Sequence, residues 1–376
     1  MSNNMDILKP VLHKKFFFFL LTLMVPCHAF CNLLSAAGNK TKEDPFPDNL
    51  IGYTRFRTNL PGGRQSNINT MRAVVVKPGA AVCQVLSPEL VKDSCTWTQF
   101  AGWSPDGKTA ILGRGWKDSE NAKQEEKDKT FHNVEGAVLY DNYLVDLATG
   151  RNINITAVDR VSYYNSGLFF WPDDTLKLGF GALIDGISHP FSMDRDGHHK
   201  VDLTEGSKNF TYGFNASRDG KKIAYHSNYQ LYIANADGSE AFHVETGQHF
   251  NFGPQWSPDG QWILFVSGEK NTHCDPYIVK ADGTGLKKLA DRGGYKGAIE
   301  FLDVFDFHEG SSDTPVWSKD GKLVFYTALT KNTVELFQVS IDGKITQLTH
   351  TPQGTLHYHP TPSPDGKWLL YGSKRQ

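Results

Sequence analysis

No excess of either charge marks this sequence: 39 lysines and arginines stand against 41 aspartates and glutamates, a formal net charge of −2 over 376 residues. A nucleic-acid binder needs a basic surface and an acidic solvating tail needs the reverse, so both classes are set aside. Cysteine is scarce, at five, and no Cys-x-x-Cys pair occurs, which excludes a zinc ribbon or a dithiol redox centre. There is no Gly-x-Ser-x-Gly elbow, no P-loop and no Gly-x-Gly-x-x-Gly fingerprint. The aspartate-rich turns do not follow EF-hand spacing. Long A/E/K/L/R-rich segments of the sort a helical bundle needs are missing too. What is plentiful is turn and aromatic chemistry: 35 Gly, 18 Pro and 12 % aromatics favour many short strands joined by tight turns.

The N-terminus reads as an export signal. Lys14 and Lys15 precede an apolar run over residues 16–26, followed by small residues. Cleavage is expected after Ala29, with a second site after Ala37, so that 1–29 is the signal, 30–50 a linker and 51–376 the folded domain. The alternative is an uncleaved anchor, since apolar residues continue to Leu34. A lipid-anchored Cys31 is disfavoured by the bulk of Phe30 before it. These features imply a periplasmic or extracellular protein, touching membrane only if that segment is retained. Cys83 and Cys95 are close enough in sequence to be bridged after export, leaving Cys274 alone.

An internal repeat decides the fold. An aromatic, Ser-Pro-Asp-Gly, a polar residue and an alternating apolar strand recur as WSPDGKTAIL, WPDDTLKLGF, ASRDGKKIAY, WSPDGQWILF, WSKDGKLVFY and PSPDGKWLLY. The aspartates of this column are Asp106, Asp174, Asp219, Asp259, Asp320 and Asp365, spaced by 68, 45, 40, 61 and 45 residues. Each unit continues with a second strand and turn, such as LYIANADG or LFQVSIDG, and then a short last strand. Four short strands per unit predict an all-β chain, a β-propeller of four-stranded antiparallel sheets. At the N-terminus, residues 51–59, 71–79 and 83–86 match the second, third and fourth strands of a unit. The C-terminus supplies a first and a second strand. Six blades close if the C-terminal strand pairs with the N-terminal sheet, leaving one strand over; the alternative is a seven-bladed ring left incomplete.

The repeat resembles the TolB-type propeller repeat, a relative of the WD40-like repeats, over residues 51–376. That resemblance implies the fold, and with it a biopolymer-transport or partner-binding role. The separate α/β domain of TolB has no counterpart in the residues before 51. TolB-type blades also precede hydrolase domains, for which residues 51–376 leave no space.

Two insertions interrupt the units. Residues 116–142 are charged and are expected to form a solvated loop. Residues 291–315 combine Phe301, Phe305 and Phe307 with Asp303, Asp306, His308 and Asp313, and a long loop with aromatics and convergent polar groups points to function.

The first strand of each blade lines a propeller's channel. Five residues before each turn aromatic stand Thr98, Ser166, Thr211, Asn251, Ser312 and His357, all polar. They predict a wet channel rim, or else simply mark loop ends. The sharpest local feature is His357-Tyr358-His359-Pro360, whose two imidazoles fall on one face of a regular strand. Two such imidazoles can share one divalent metal, Mn, Zn or Ca. His308 lies one blade earlier and His249 two blades earlier. The candidate ligand contacts are therefore Thr98, Thr211, Asn251, His308, Ser312 and Asp313, with His357 and His359 as candidate metal ligands.

The same His-x-His-Pro beside a Pro-Asp-Gly turn resembles the last blades of oligogalacturonate lyases. That resemblance implies a bound metal, His357 and His359 as ligands, and Gln353 as a third, at a slightly different spacing. It leaves the proton-abstracting base without a counterpart. Two functions are thus expected: an exported module that binds a protein partner or carbohydrate at its channel rim, or a metal-dependent lyase acting on acidic sugars.

Overall fold

The computed structural model describes Met24–Pro26, Leu34–Ser35 and residues 50–375 other than 78–82, 129–131, 133, 135, 157–164, 173, 185–186, 298–310, 312, 332, 353–354 and 363–365. The chain folds as a six-bladed β-propeller of small antiparallel sheets. Blade one holds Ile51–Phe56, Arg72–Val76 and Gln84–Val85. Blade two holds Thr96–Trp103, Thr109–Lys117, Val138–Asp146 and Asn152–Asn154. Blade three runs from Asn165–Phe170 to Val201–Asp202, blade four from Phe214–Ala216 to Phe242–His243, and blade five from Phe250–Trp256 to Lys287–Lys288. Blade six holds Val316–Trp317, Leu323–Thr330, Thr333–Ser340 and Ile345–Gln347.

Ring closure takes a different route from the one the strand count suggested. The C-terminal hairpin, Thr355–Pro362 with Trp368–Arg375, joins the sheet of blade six, where Leu356 pairs in parallel with Val334. Its last strand is flanked by Leu34–Ser35. Blade one takes Met24–Pro26 as a parallel neighbour of Ile51–Phe56 instead. N-terminal residues thus lie between the two ends of the ring.

The repeated turn is a hydrogen-bonded cassette. In blade five the Ser257 hydroxyl donates to Asp259 Oδ1 (2.5 Å), and the same oxygen accepts from the backbone of Gln261 (3.0 Å). Ser257 Oγ in turn accepts from the backbone of Trp262 (2.9 Å), and Gly260 supplies the left-handed φ of 72°. Blades two, four and six repeat these bonds through Ser104/Asp106, Ser217/Asp219 and Ser318/Asp320. Asp106, Asp219, Asp259 and Asp320 of the column are therefore structural.

Blades pack through apolar layers. Leu264 and Ile278 of blade five meet Trp317, Val324 and Tyr326 of blade six. Each such buried side chain contributes about 1.5–3 kcal/mol. The column tryptophans act as wedges between blades: Trp256 Nε1 donates to Asn215 O of blade four (3.1 Å) and Trp171 Nε1 to Gly220 O (3.0 Å).

Two local expectations are corrected. The charged 116–142 segment contains a helix, Ser119–Asp128, started by Asp118 Oδ1 accepting from the backbone of Asn121 (2.9 Å). Glu125 pairs with the buried Lys117 ammonium (2.6 Å), and Glu126 accepts from the backbone of Arg64 in a short helix, Gly63–Asn69, between the first two strands of blade one. The charges that suggested a solvated loop thus tie a helix down. Cys83 and Cys95 are free thiols, as is Cys274, and Cys83 Sγ accepts from Arg55. Among the described residues no helix is long and apolar enough to cross a membrane.

Candidate functional site

In a blade of four antiparallel strands, the turns between strands one and two and between three and four lie at one end. The hairpin between strands two and three, and the connection to the next blade, lie at the other. The Ser-x-Asp-Gly cassettes occupy the first end. The described candidate residues of the sequence lie toward the second, the connector end.

There three of the equivalent polar residues, Thr98, Thr211 and Asn251, join blade to blade. Thr98 is fully buried; its backbone N–H donates to Met71 O and its hydroxyl accepts from the backbone of Ala73 in blade one. Thr211 donates its backbone N–H to Ser188 O of blade three (2.7 Å) and accepts from the Ser188 hydroxyl (2.7 Å). Asn251 Nδ2 donates to Tyr229 O of blade four (2.9 Å), while its Oδ1 accepts from Ser267 (2.7 Å). All three are buried, and these bonds hold the first strands in place. His308, Ser312 and Gln353 lie outside the described residues.

Asp313 and the two histidines come together around the described ends of the 291–315 connector. The Asp313 carboxylate is completely buried. Its Oδ2 accepts from Tyr295 OH (2.8 Å) and Thr327 Oγ1 (2.6 Å), and Arg292 Nη2 lies 3.8 Å away. Its Oδ1 accepts from the backbone of His359 (2.9 Å) and lies 3.0 Å from His359 Nδ1. Burial alone would raise the Asp313 pKa; the bond with the His359 ring, the charge of Arg292 and the bond from Thr327 outweigh it and hold the carboxyl below the usual range. Burial, helped by the Asp313 charge, pushes the Tyr295 phenol far up. Arg292 is itself fixed: Nε donates to Thr327 O (2.9 Å), Nη2 to Thr327 Oγ1 (2.9 Å), and the guanidinium lies over the Tyr295 ring.

The histidine strand departs from a plain pleat. A bulge separates Tyr358 from Thr361, and His359 sits at φ 49°, an uncommon conformation for a side chain of this size. The simple rule that residues two apart share a face therefore does not describe this pair. His357 is 2 % exposed, edge-on to the Tyr371 ring, and among the described residues neither of its ring nitrogens has a hydrogen-bond partner. Burial pushes its pKa down, opposed by the charge of Glu335. His359 Nε2 is likewise buried without a partner among the described residues. Glu335 is buried too, and accepts from Thr349 Oγ1 (2.5 Å), the Thr351 backbone (2.9 Å) and Thr351 Oγ1 (2.6 Å). Burial raises its pKa, but these bonds outweigh it and hold the carboxyl low.

Arg292, Tyr295, Thr327 and Glu335 were not among the residues singled out by sequence. Two of them lie in the flagged connector. Glu335 shows as a lone charge inside the apolar strand TVELFQVS. Thr327 carries no sequence signal.

Among the described residues no three His, Cys, Asp or Glu side chains are grouped to hold a metal ion. The donor chemistry that fits a metal is nonetheless present in part: buried imidazole nitrogens without partners, one imidazole backed by a carboxylate.

No protein-family model matches the chain. It is 28 % identical over 179 residues to the uncharacterized peptidase YuxL of Bacillus subtilis, over 41 % of this chain and 26 % of that protein. The chain thus spans about a quarter of that relative's length. It is 24 % identical over 297 residues to the uncharacterized protein Atu1656 of Agrobacterium fabrum, over 72 % of this chain and 94 % of that one. Among solved structures, TolB from Acinetobacter baumannii superposes with a TM-score of 0.51 at 16 % identity, covering 81 % of this chain and 64 % of that one. An oligogalacturonate lyase in complex with manganese gives 0.50 at 14 % identity, with 76 % and 77 % covered. A puromycin hydrolase gives 0.53 at 13 % identity, with 87 % and 52 % covered. The fold is a TolB-like propeller. Its neighbours include a lyase and a hydrolase, so the fold leaves the chemistry to the site.

Proposed function

We propose that the protein is an exported binding propeller that takes a protein partner or a carbohydrate at its connector end. His357 and His359 form one edge of the site, and His308 and Ser312 of the 291–315 connector contact the ligand beside Asp313. Thr98, Thr211 and Asn251 frame it by fixing the first strands of their blades. The observation that carries this reading is the set of three ring nitrogens, two on His357 and one on His359, buried without partners among the described residues. A buried polar atom left unpaired costs about 1–3 kcal/mol, so its retention points to use rather than to stability. A periplasmic or extracellular location follows from the N-terminal basic and apolar pattern.

A second reading is favoured by one feature. A metal-bound histidine commonly gives its other ring N–H to a carboxylate, and His359 faces Asp313 in that way. On that reading the protein is a lyase for acidic sugars, and His357 and His359 would hold a Mn, Zn or Ca ion. A bound ion would supply positive charge to a uronate carboxylate. Asp313 and Glu335, whose oxygens are already engaged, would hold the site in shape.

Metal content of the purified mature protein, beside the His357→Ala/His359→Ala variant, separates the two. The binding reading expects no equivalent of metal in either. About one equivalent in the wild type and none in the variant would replace it with the lyase reading, and would call for assay of uronate polymers for unsaturated products.

A further inference from the structure

Two acceptor sites on one oxygen decide the state of a histidine. Asp313 Oδ1 receives the His359 backbone N–H and stands 3.0 Å from His359 Nδ1. The other oxygen is occupied by Tyr295 and Thr327, with Arg292 behind them. An ionised carboxylate can only accept, so the ring nitrogen facing it carries a proton. Nε2 is buried with no partner among the described residues, and a second proton there would bury an N–H that none of them receives. We infer that Asp313 is a positioning residue that fixes His359 as its Nδ1–H tautomer and leaves Nε2 as a bare acceptor for the ligand.

The same oxygen also holds the backbone. His359 sits at φ 49° within the bulge, a conformation that persists only where its surroundings over-determine it. Asp313 fastens both the amide and the ring of that residue, so it sets where the imidazole stands as well as which nitrogen is free. Asp313 belongs to the connector between blades five and six, and His359 to the C-terminal hairpin. The pair therefore couples the connector to the histidine strand. This inference rests on the reading of His357 and His359 as the edge of the site, and names the residue that prepares one of them.

The test reads the tautomer directly, with no ligand or metal added. Protein labelled with 15N in the histidine rings is examined by long-range proton–nitrogen correlation, with His359 assigned by loss of its signals in His359→Gln. The expected native pattern is a protonated Nδ1 and a bare Nε2; a protonated Nε2 overturns the inference without any further variant. In Asp313→Asn the amide oxygen faces His359, because the backbone N–H there accepts no other arrangement, while the amide nitrogen meets the rotatable hydroxyls of Tyr295 and Thr327. That variant is expected to keep the native tautomer, and a reversal in it overturns the inference. In Asp313→Ala the restraint is gone and the Nε2–H form becomes the major one; an unchanged tautomer in a folded Asp313→Ala protein also overturns it. If the alanine variant does not fold, the native and Asn spectra decide. A bare Nε2 in a protein that binds neither metal nor ligand would leave this inference standing and remove the functional reading it rests on.

Discussion

Asp313 Oδ1 joins the backbone amide and the imidazole of His359, and so ties a connector between two blades to the strand that closes the chain. The opposite oxygen is held by Tyr295 and Thr327, and Arg292 balances the charge in a fully buried setting. Removing the carboxylate would take the Asp313 counter-charge away from the guanidinium, which is 1 % exposed. Breaking a buried pair in this way costs about 3–5 kcal/mol. Asp313→Ala is expected to lose stability on that scale in urea denaturation; Asp313→Asn removes the same charge but keeps an acceptor for the His359 amide, and is expected to lose less by about 1 kcal/mol, the worth of that bond. Equal losses for the two variants would show that the charge, not the acceptor, is what Arg292 and His359 require.

The same groups give the protein a defined response to acid. Asp313 and Glu335 have folded pKa values below their ordinary ones, so their contribution to stability is present above about pH 4, the range where the unfolded groups titrate, and is lost as pH falls below it. The His357 pKa is also depressed, which means the unfolded chain binds its proton first. Its contribution is complete above about pH 6.5 and declines as pH drops below that value. Urea midpoints measured across this range should therefore fall in two stages. His357→Phe should abolish the first stage and leave the second.

The turn cassettes predict a different kind of variant, stable or unstable without effect on the site. Asp259→Ala removes an acceptor shared by the Ser257 hydroxyl and the Gln261 amide, a loss of about 1 kcal/mol for each bond. Gly260→Ala forces a Cβ into a left-handed φ of 72° and costs about 1–2 kcal/mol. Both lie at the end of the propeller away from His357 and His359. Thermal melts should drop while the histidine ring spectra stay as in the wild type.

The propeller was legible because its signal is repeated. Six variants of a Trp-Ser-Pro-Asp-Gly turn, each followed by an alternating strand, mark blades two to six and the C-terminal hairpin, and the turn bonds of Ser104, Ser217, Ser257 and Ser318 show why those residues recur. Ring closure was harder, because pairing of Leu356 with Val334 depends on where strands meet in space rather than on local pattern. The site was legible in part. Asp313, His357 and His359 stood out by residue type, whereas Thr327 looks like any other strand residue. The bulge at His359 has no glycine to announce it, so the two histidines read as a regular pair. The charged stretch of the second blade misled for a related reason: a capping aspartate at 118 and a buried lysine at 117 convert loop-like composition into a packed helix.

The most direct test of the site is the stability of His357→Phe, measured by chemical denaturation at pH 7 and above. The ring in native His357 is buried, edge-on to Tyr371, and gives neither nitrogen a partner. If the imidazole is kept for binding, an apolar ring in its place removes two unsatisfied polar atoms and leaves stability unchanged or raised by about 1 kcal/mol. A loss of about 1–3 kcal/mol, the cost of breaking buried hydrogen bonds, would show that His357 supports the fold and would contradict its place in a binding site.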